Sequence, residues 1–217
     1  MHRFSIAAAS LLSGLASAAA AQAADRCGYG DFTYFAQDGV AVYNVSPATG
    51  GRTYFHGDGE GCPDAASCKL KSYLVVQDEV LVTKVENGWA CAWYGKGARH
   101  TVGWLKKADL VKSAVAPSGE GDWLGDWSFA GNRITISRDK KGFKAEGEAT
   151  WTGPASVHEG SFKGPLEVKG VAATYADPED TEPFCTVEMR RASRYMVVSD
   201  NGNCGGASVS FGGVYVR

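Results

Sequence analysis

Apolar and polar residues alternate through much of this chain with a period of two. The clearest run is Phe143 to Trp151, where Phe143, Ala145, Gly147, Ala149 and Trp151 fall on one side and Lys144, Glu146, Glu148 and Thr150 on the other. Such alternation predicts a strand with one buried and one wet face. The small residues within it predict a tight barrel interior, or a place where a large ring such as Trp151 lies across the strand. Similar runs cover 123–129, 133–138, 157–163, 165–174, 184–191, 194–199 and 208–216. Turn signals separate them at Gly131-Asn132, Lys141-Gly142, Gly153-Pro154, Gly164-Pro165 and Asn201-Gly202-Asn203. From residue 25 onward, no stretch sustains the i, i+3, i+4, i+7 spacing over three helical turns. The expected fold class is all-β.

The pattern breaks twice. Residues 1–24 place Arg3 before an alanine- and leucine-rich run ending in Ala21-Gln22-Ala23, which reads as a signal peptide cleaved after Ala23 or Ala24. The run is too short and too serine-interrupted for a membrane span, which needs about 20 apolar residues. No later segment predicts a span. The second break, VKSAVAPSGEGD at 111–122, lacks periodicity and is rich in small residues, Pro and Gly. It divides a domain at 25–112 from one at 122–217, with 113–121 as a linker, and predicts that the two fold independently. The eight runs after the linker predict an antiparallel up-and-down β-barrel or sandwich.

Composition changes this picture in two ways. The formal net charge is −2. Acidic and basic residues balance in the N-terminal half, and the C-terminal half carries the acidic excess. Without a concentrated basic face, no nucleic-acid partner is expected. The six cysteines, Cys27, Cys62, Cys68, Cys91, Cys185 and Cys204, all follow the signal segment. An even count in an exported chain predicts disulfides and a periplasmic or secreted location. No CxxC pair or finger-spaced His supports a metal site. If each half is its own domain, Cys185 pairs with Cys204. The other four allow three connectivities, of which we favour the local clip Cys62–Cys68 together with Cys27–Cys91.

The residues offer little catalytic chemistry. His56, His100 and His158 lie near no nucleophile elbow and in no HExxH pattern. The carboxylates Asp177, Glu179, Asp180 and Glu182 fit no cation loop and read as a solvated acidic turn. Asp58 and Glu60 read the same way. No enzyme activity, catalytic residue, metal or cofactor is expected. Aromatic rings are the remaining resource: Trp89, Trp93, Tyr94 and Trp104 lie close together, with Tyr54, Phe55 and Tyr73 nearby. Trp89 and Trp104 are expected in the core. Trp93 and Tyr94 point to opposite faces of a strand, so one should face outward. That pair and Tyr54-Phe55 are the expected ligand-binding rings.

Residues 73–111 read YLVVQDEVLVTKVENGWACAWYGKGARHTVGWLKKADLV. An Asp78-Glu79 turn leads into Val80-Leu81-Val82, Gly88-Trp89 opens the next strand, and Gly103-Trp104-Leu105 leads to Ala108-Asp109-Leu110. With Tyr43-Asn44-Val45-Ser46-Pro47 upstream, the region 38–112 resembles the bacterial SH3-like domains of uncharacterised exported proteobacterial proteins, which implies a small SH3-like barrel. It differs in having Ser46 where the family has Arg, and in a longer, cysteine-bearing loop at 48–72. The W-L-G-D-W of Trp123 to Trp127 resembles, over three residues, the Gly-x-Trp that begins lipocalin and avidin barrels. The SH3 resemblance implies a non-enzymatic binding protein whose partner is a cell-wall component, peptide or glycan, or an envelope protein. The second expectation is a secreted inhibitor of a hydrolase such as a lysozyme or protease. With charge balanced in the N-terminal half, binding there should depend weakly on salt.

Overall fold

In the computed structural model, residues 26–46, 50–96, 99–114, 119–177 and 183–217 are described. The expected signal segment, Pro47, residues 115–118 of the expected linker and the acidic residues Glu179, Asp180 and Glu182 lie outside them. Among the described residues the chain is all-β apart from one short α-helix and a few 3₁₀ turns.

The N-terminal half starts with α1 (Tyr29–Phe35), whose first turn is capped by the Asp31 carboxylate accepting the Gly28 N–H at 3.0 Å. Seven strands follow: β1 (Ala41–Val45), β2 (Arg52–His56), β3 (Lys69–Val75), β4 (Glu79–Glu86), β5 (Trp89–Lys96), β6 (Arg99–Lys106) and β7 (Leu110–Lys112). They form one curled sheet in the order β3-β2-β6-β5-β4-β1-β7, so β3 and β7 are its edges. Its inner face holds a core of Val45, Phe55, Leu74, Val80, Val82, Ala90, Ala92, Leu105 and Leu110.

The C-terminal half is a closed eight-stranded antiparallel barrel: β8 (Gly125–Phe129), β9 (Asn132–Asp139), β10 (Gly142–Thr152), β11 (Val157–Lys169), β12 (Ala172–Ala176), β13 (Thr186–Ala192), β14 (Tyr195–Asp200) and β15 (Gly213–Val216). The alternation read from Phe143 to Trp151 holds, with Ala145, Gly147 and Ala149 buried and Lys144, Glu146, Glu148 and Thr150 exposed. The ring across that strand is Phe162, not Trp151. A Cβ on Gly147 would come within 2.1 Å of it.

One turn lies elsewhere than expected. Gly164-Pro165 sits inside β11, and the chain reverses at Gly170, whose φ of +61° suits glycine. From 157 to 166, β11 pairs with β10 alone, except for a bridge from Gly160 to Gly205. Proline is tolerated beside such an unpaired edge because no ladder bond is lost there. The last strand is also shorter than 208–216, because the Asp200 carboxylate instead accepts the backbone N–H groups of Phe211 and Gly212 and the Ser210 hydroxyl.

One end of the barrel is closed by the W-L-G-D-W segment. Trp123 and Trp127 are fully buried, and the Arg191 guanidinium lies 4.5 Å from the Trp127 ring centroid, with Arg217 at 4.8 Å. Arg191 donates to the carbonyls of Asp122 and Ser193. Burial first, then the neighbouring Arg217 charge, lowers its pKa to about 10.

All three disulfides form as favoured: Cys27–Cys91, Cys62–Cys68 and Cys185–Cys204. They place the folded chain in an oxidising environment. Among the described residues, no helix is long and apolar enough to cross a membrane.

A third apolar cluster joins the halves. Phe32 and Ala36 of α1 and Val42, Leu81, Trp89, Cys91, Trp93 and Trp104 of the sheet meet Ala192, Tyr195, Val197 and Val214 on the outer wall of the barrel. Polar contacts cross the same seam. Tyr29 Oη donates to the Gly212 carbonyl at 3.3 Å, Arg190 donates to the Gln37 carbonyl, and Arg194 Nε pairs with Glu79 at 3.4 Å.

Candidate functional site

The N-terminal sheet has two faces, and side chains alternate between them. Ala90 and Ala92 turn into its own core. Trp89, Cys91 and Trp93 turn the other way, toward α1 and the barrel wall. Both faces of β5 are therefore covered. Trp93 is 2% exposed and meets Tyr195 edge-on with ring centroids 5.5 Å apart. Tyr94 packs against the inner core, and its hydroxyl donates to Asp78 at 3.2 Å. The expectation that one of this pair faces solvent fails because the C-terminal barrel covers the second face. Phe55 is likewise inner core, at 1% exposed. Trp89 and Trp104 are buried as expected.

Tyr54 differs. It lies on the outer face of β2, opposite Tyr73 on β3, with ring centroids 5.7 Å apart. The outer face that α1 and the barrel cover over β4, β5 and β6 is bare here. Arg52 lies 4.2 Å from the Tyr73 ring centroid and Lys69 Nζ 3.7 Å from that of Tyr54. Lys71 lies between Lys69 and Tyr73 on the same side of β3. None of these three cations has a carboxylate partner among the described residues. Tyr73 is 44% exposed and Val75 extends the surface. The result is a hairpin face of two rings and three cations, without carboxylate partners among the described residues, at a free sheet edge. Rings offer flat apolar contact and the cations attract anionic groups.

Sequence reasoning found Tyr54 and placed Tyr73 near it, but missed Arg52, Lys69 and Lys71. The available signal was their period-two spacing with the tyrosines in RTYFH and KLKSYLV. The balanced charge of the half concealed it, because net charge does not show where cations gather.

Beside this face the loop 57–68 is braced at several points. Cys62–Cys68 clips it, and the Cys27 N–H approaches Asp58 at 3.3 Å. His56 Nδ1 lies 2.8 Å from the Pro63 carbonyl, and Trp89 Nε1 donates to Asp64 at 2.9 Å. Glu60 stands exposed near its tip.

The remaining candidates serve local structure. His158 Nδ1 lies 2.5 Å from the Ala207 carbonyl, with its ring stacked on Trp151. His100 packs against Tyr29 and Phe129 at the seam between the halves. Asp177 accepts the Tyr175 hydroxyl at 2.5 Å and the Cys185 N–H at 3.0 Å. Burial first, then that carboxylate, raises the Tyr175 pKa to about 12. The barrel interior is filled by Trp127, Ile134, Phe162, Met189, Met196, Phe211 and Tyr215, among others. No protein-family model, curated protein or solved structure matches this chain.

Proposed function

We propose that this chain is an exported, non-catalytic binding protein of the bacterial cell envelope. Its N-terminal half is an SH3-like module that holds a cell-wall glycan or peptide on the β2–β3 hairpin. The observation that carries this reading is the bare part of the sheet face, where Arg52, Tyr54, Lys69, Lys71 and Tyr73 stand together without anionic partners among the described residues. Wall polymers present carboxylates on sugars and peptides, which suit cations set beside rings.

Co-sedimentation with purified cell-wall sacculi tests the proposal. The purified chain should pellet with them at low salt. A variant carrying Arg52→Gln, Lys69→Gln and Lys71→Gln should remain in the supernatant. Equal sedimentation of the two proteins would overturn the reading.

A second reading rests on the braced loop at 57–68. Its conformation is held before any encounter, which lowers the entropy cost of inserting it into a cleft. In that reading the chain inhibits a secreted hydrolase such as a lysozyme or protease. Loss of hydrolase activity on mixing, abolished by deletion of Gly59 to Gly61 but not by the three Gln substitutions, would favour it.

A further inference from the structure

Helix α1 does not seal completely against the barrel. Between Gly30 and Tyr34 of the helix and Thr186, Glu188, Ser199 and Asp200 of the barrel lies a groove of about 510 Å³. Its construction is uneven in charge. Asp200 accepts the backbone N–H groups of Gly202, Phe211 and Gly212 and the Ser210 hydroxyl, and no cation pairs with it among the described residues. Glu188 is exposed and makes no hydrogen bond or ion pair among the described residues. The nearest outward cation along the same strand, Arg190, is committed to the Gln37 carbonyl of the other half. Tyr34, 70% exposed, adds an open ring to the wall.

A groove lined by an aromatic ring, hydroxyls and a carboxylate with no partner among the described residues suits a cation on an apolar stem. We propose that the groove between α1 and the β13–β14 face is a binding site for a lysine-type ammonium group presented by a peptide. The stem lies along Tyr34, and the ammonium is held by Glu188 with Ser199 and Thr186 beside it. Charge complementarity selects this occupant, since an anion or a neutral apolar chain would leave the Glu188 carboxylate without a counter-charge. The inference uses none of the residues of the β2–β3 face and stands whether or not that face binds wall polymer.

The groove also supplies its own control. A Cβ on Gly30 would meet nothing within 4 Å, so Gly30→Leu starts its side chain in open space, adds bulk to the groove and favours the helix. The test titrates acetyl-Ala-Lys-Ala-amide into the isotope-labelled full chain and follows backbone amide signals. Shifts should gather at Gly30, Thr33, Glu188, Ser199 and Gly212, and a norleucine peptide should produce far smaller ones. Glu188→Gln should weaken binding about 1.5-fold to fivefold, the range for an exposed ion pair. Gly30→Leu should abolish binding while the melting temperature holds or rises. Equal response to the norleucine peptide would overturn the proposal, as would unchanged affinity in Glu188→Gln. Shifts confined to the acidic surface around Glu148 and Glu159 would overturn it too. Failure here would leave the sacculus experiment unaffected, because its variants lie on the other hairpin.

Discussion

One sheet face carries two territories with opposite fates. Over β4, β5 and β6 it bears Leu81, Trp89, Trp93 and Trp104, and it is buried under α1 and the barrel. Over β2 and β3 it bears Arg52, Tyr54, Lys69, Lys71 and Tyr73, and it meets solvent. Both territories are rich in aromatic rings, so ring density alone does not separate an interface within the chain from a surface for a ligand. The accompanying residues do. Rings among aliphatic neighbours and a disulfide are sealed between the halves, whereas rings alternating with cations remain wet.

The sharpest way to break this comparison is to remove the cover. If the seam is as apolar as Tyr195, Val197 and Val214 make it, residues 119–217 expressed alone should form a barrel that is less stable than in the intact chain. Exposing those side chains costs on the order of 5 kcal/mol by apolar-area reasoning. Calorimetry should show one transition for the whole chain and a lower one for the fragment. A fragment melting at the temperature of the intact chain would make the seam a superficial contact and support independent folding.

Single substitutions sharpen the same contrast. Trp93→Ala should destabilise the chain by about 3–5 kcal/mol in denaturant unfolding, as expected for a large buried ring. Tyr54→Ala should change stability by less than about 1 kcal/mol, because that ring rests on a wet face. Comparable losses at the two positions would mean that the β2–β3 face is also covered by something.

Alkaline pH probes the covered parts by a different route. Burial raises the pKa of Tyr29, Tyr175, Tyr195 and Tyr215 above that of a free tyrosine, with Tyr175 at about 12. A folded pKa above the unfolded value means that the folded state holds the proton more tightly. The associated stability is complete below about pH 10 and is lost as pH rises toward 12. Arg191 acts in the opposite sense. Its pKa of about 10 lies below the unfolded value, so stability should rise with pH above 10 on its account. Four tyrosines outweigh one arginine, and the melting temperature should fall from pH 10 to 12. Tyr175→Phe should flatten that fall; a profile identical to that of the parent would remove Tyr175 from the explanation.

How much of this was legible in the chain depends on the range of the signal. Period-two alternation gave the β class and the inward face of β10, because adjacent residues decide it. Cysteine parity and spacing favoured the three bridges. The turn at Gly164-Pro165 misled because its signal is local, while the missing ladder partner that tolerates Pro165 is set by the length of a different strand. Trp93 misled for a similar reason: its strand has two faces in sequence, but whether the second meets water depends on a barrel a hundred residues away. Lys69 and Lys71 join Arg52 only across a hairpin whose connection contains a cysteine clip, so a linear count of charge passed over them.

The smallest expected effect lies on the bare territory, and there stability and binding should part company. Each tyrosine supplies about 0.5–1.5 kcal/mol of ring contact, so Tyr54→Ala or Tyr73→Ala should weaken sacculus binding about twofold to tenfold. Arg52 and Lys69 sit over those same rings, so losing a ring also frees the cation it holds in place. The ring and charge effects should therefore be less than additive, which a double-mutant cycle on Tyr54 and Lys69 measures directly. Exposed cations are screened over roughly 8–10 Å at physiological salt, so binding should also weaken as salt rises, contrary to the expectation from the zero net charge of the half. Retained affinity at high salt together with additive Tyr54 and Lys69 effects would leave the rings as ligand contacts but remove the cations from the site. Throughout the series the unfolding midpoint should hold steady; a midpoint that falls in step with affinity would show that this face, like its covered neighbour, serves the fold.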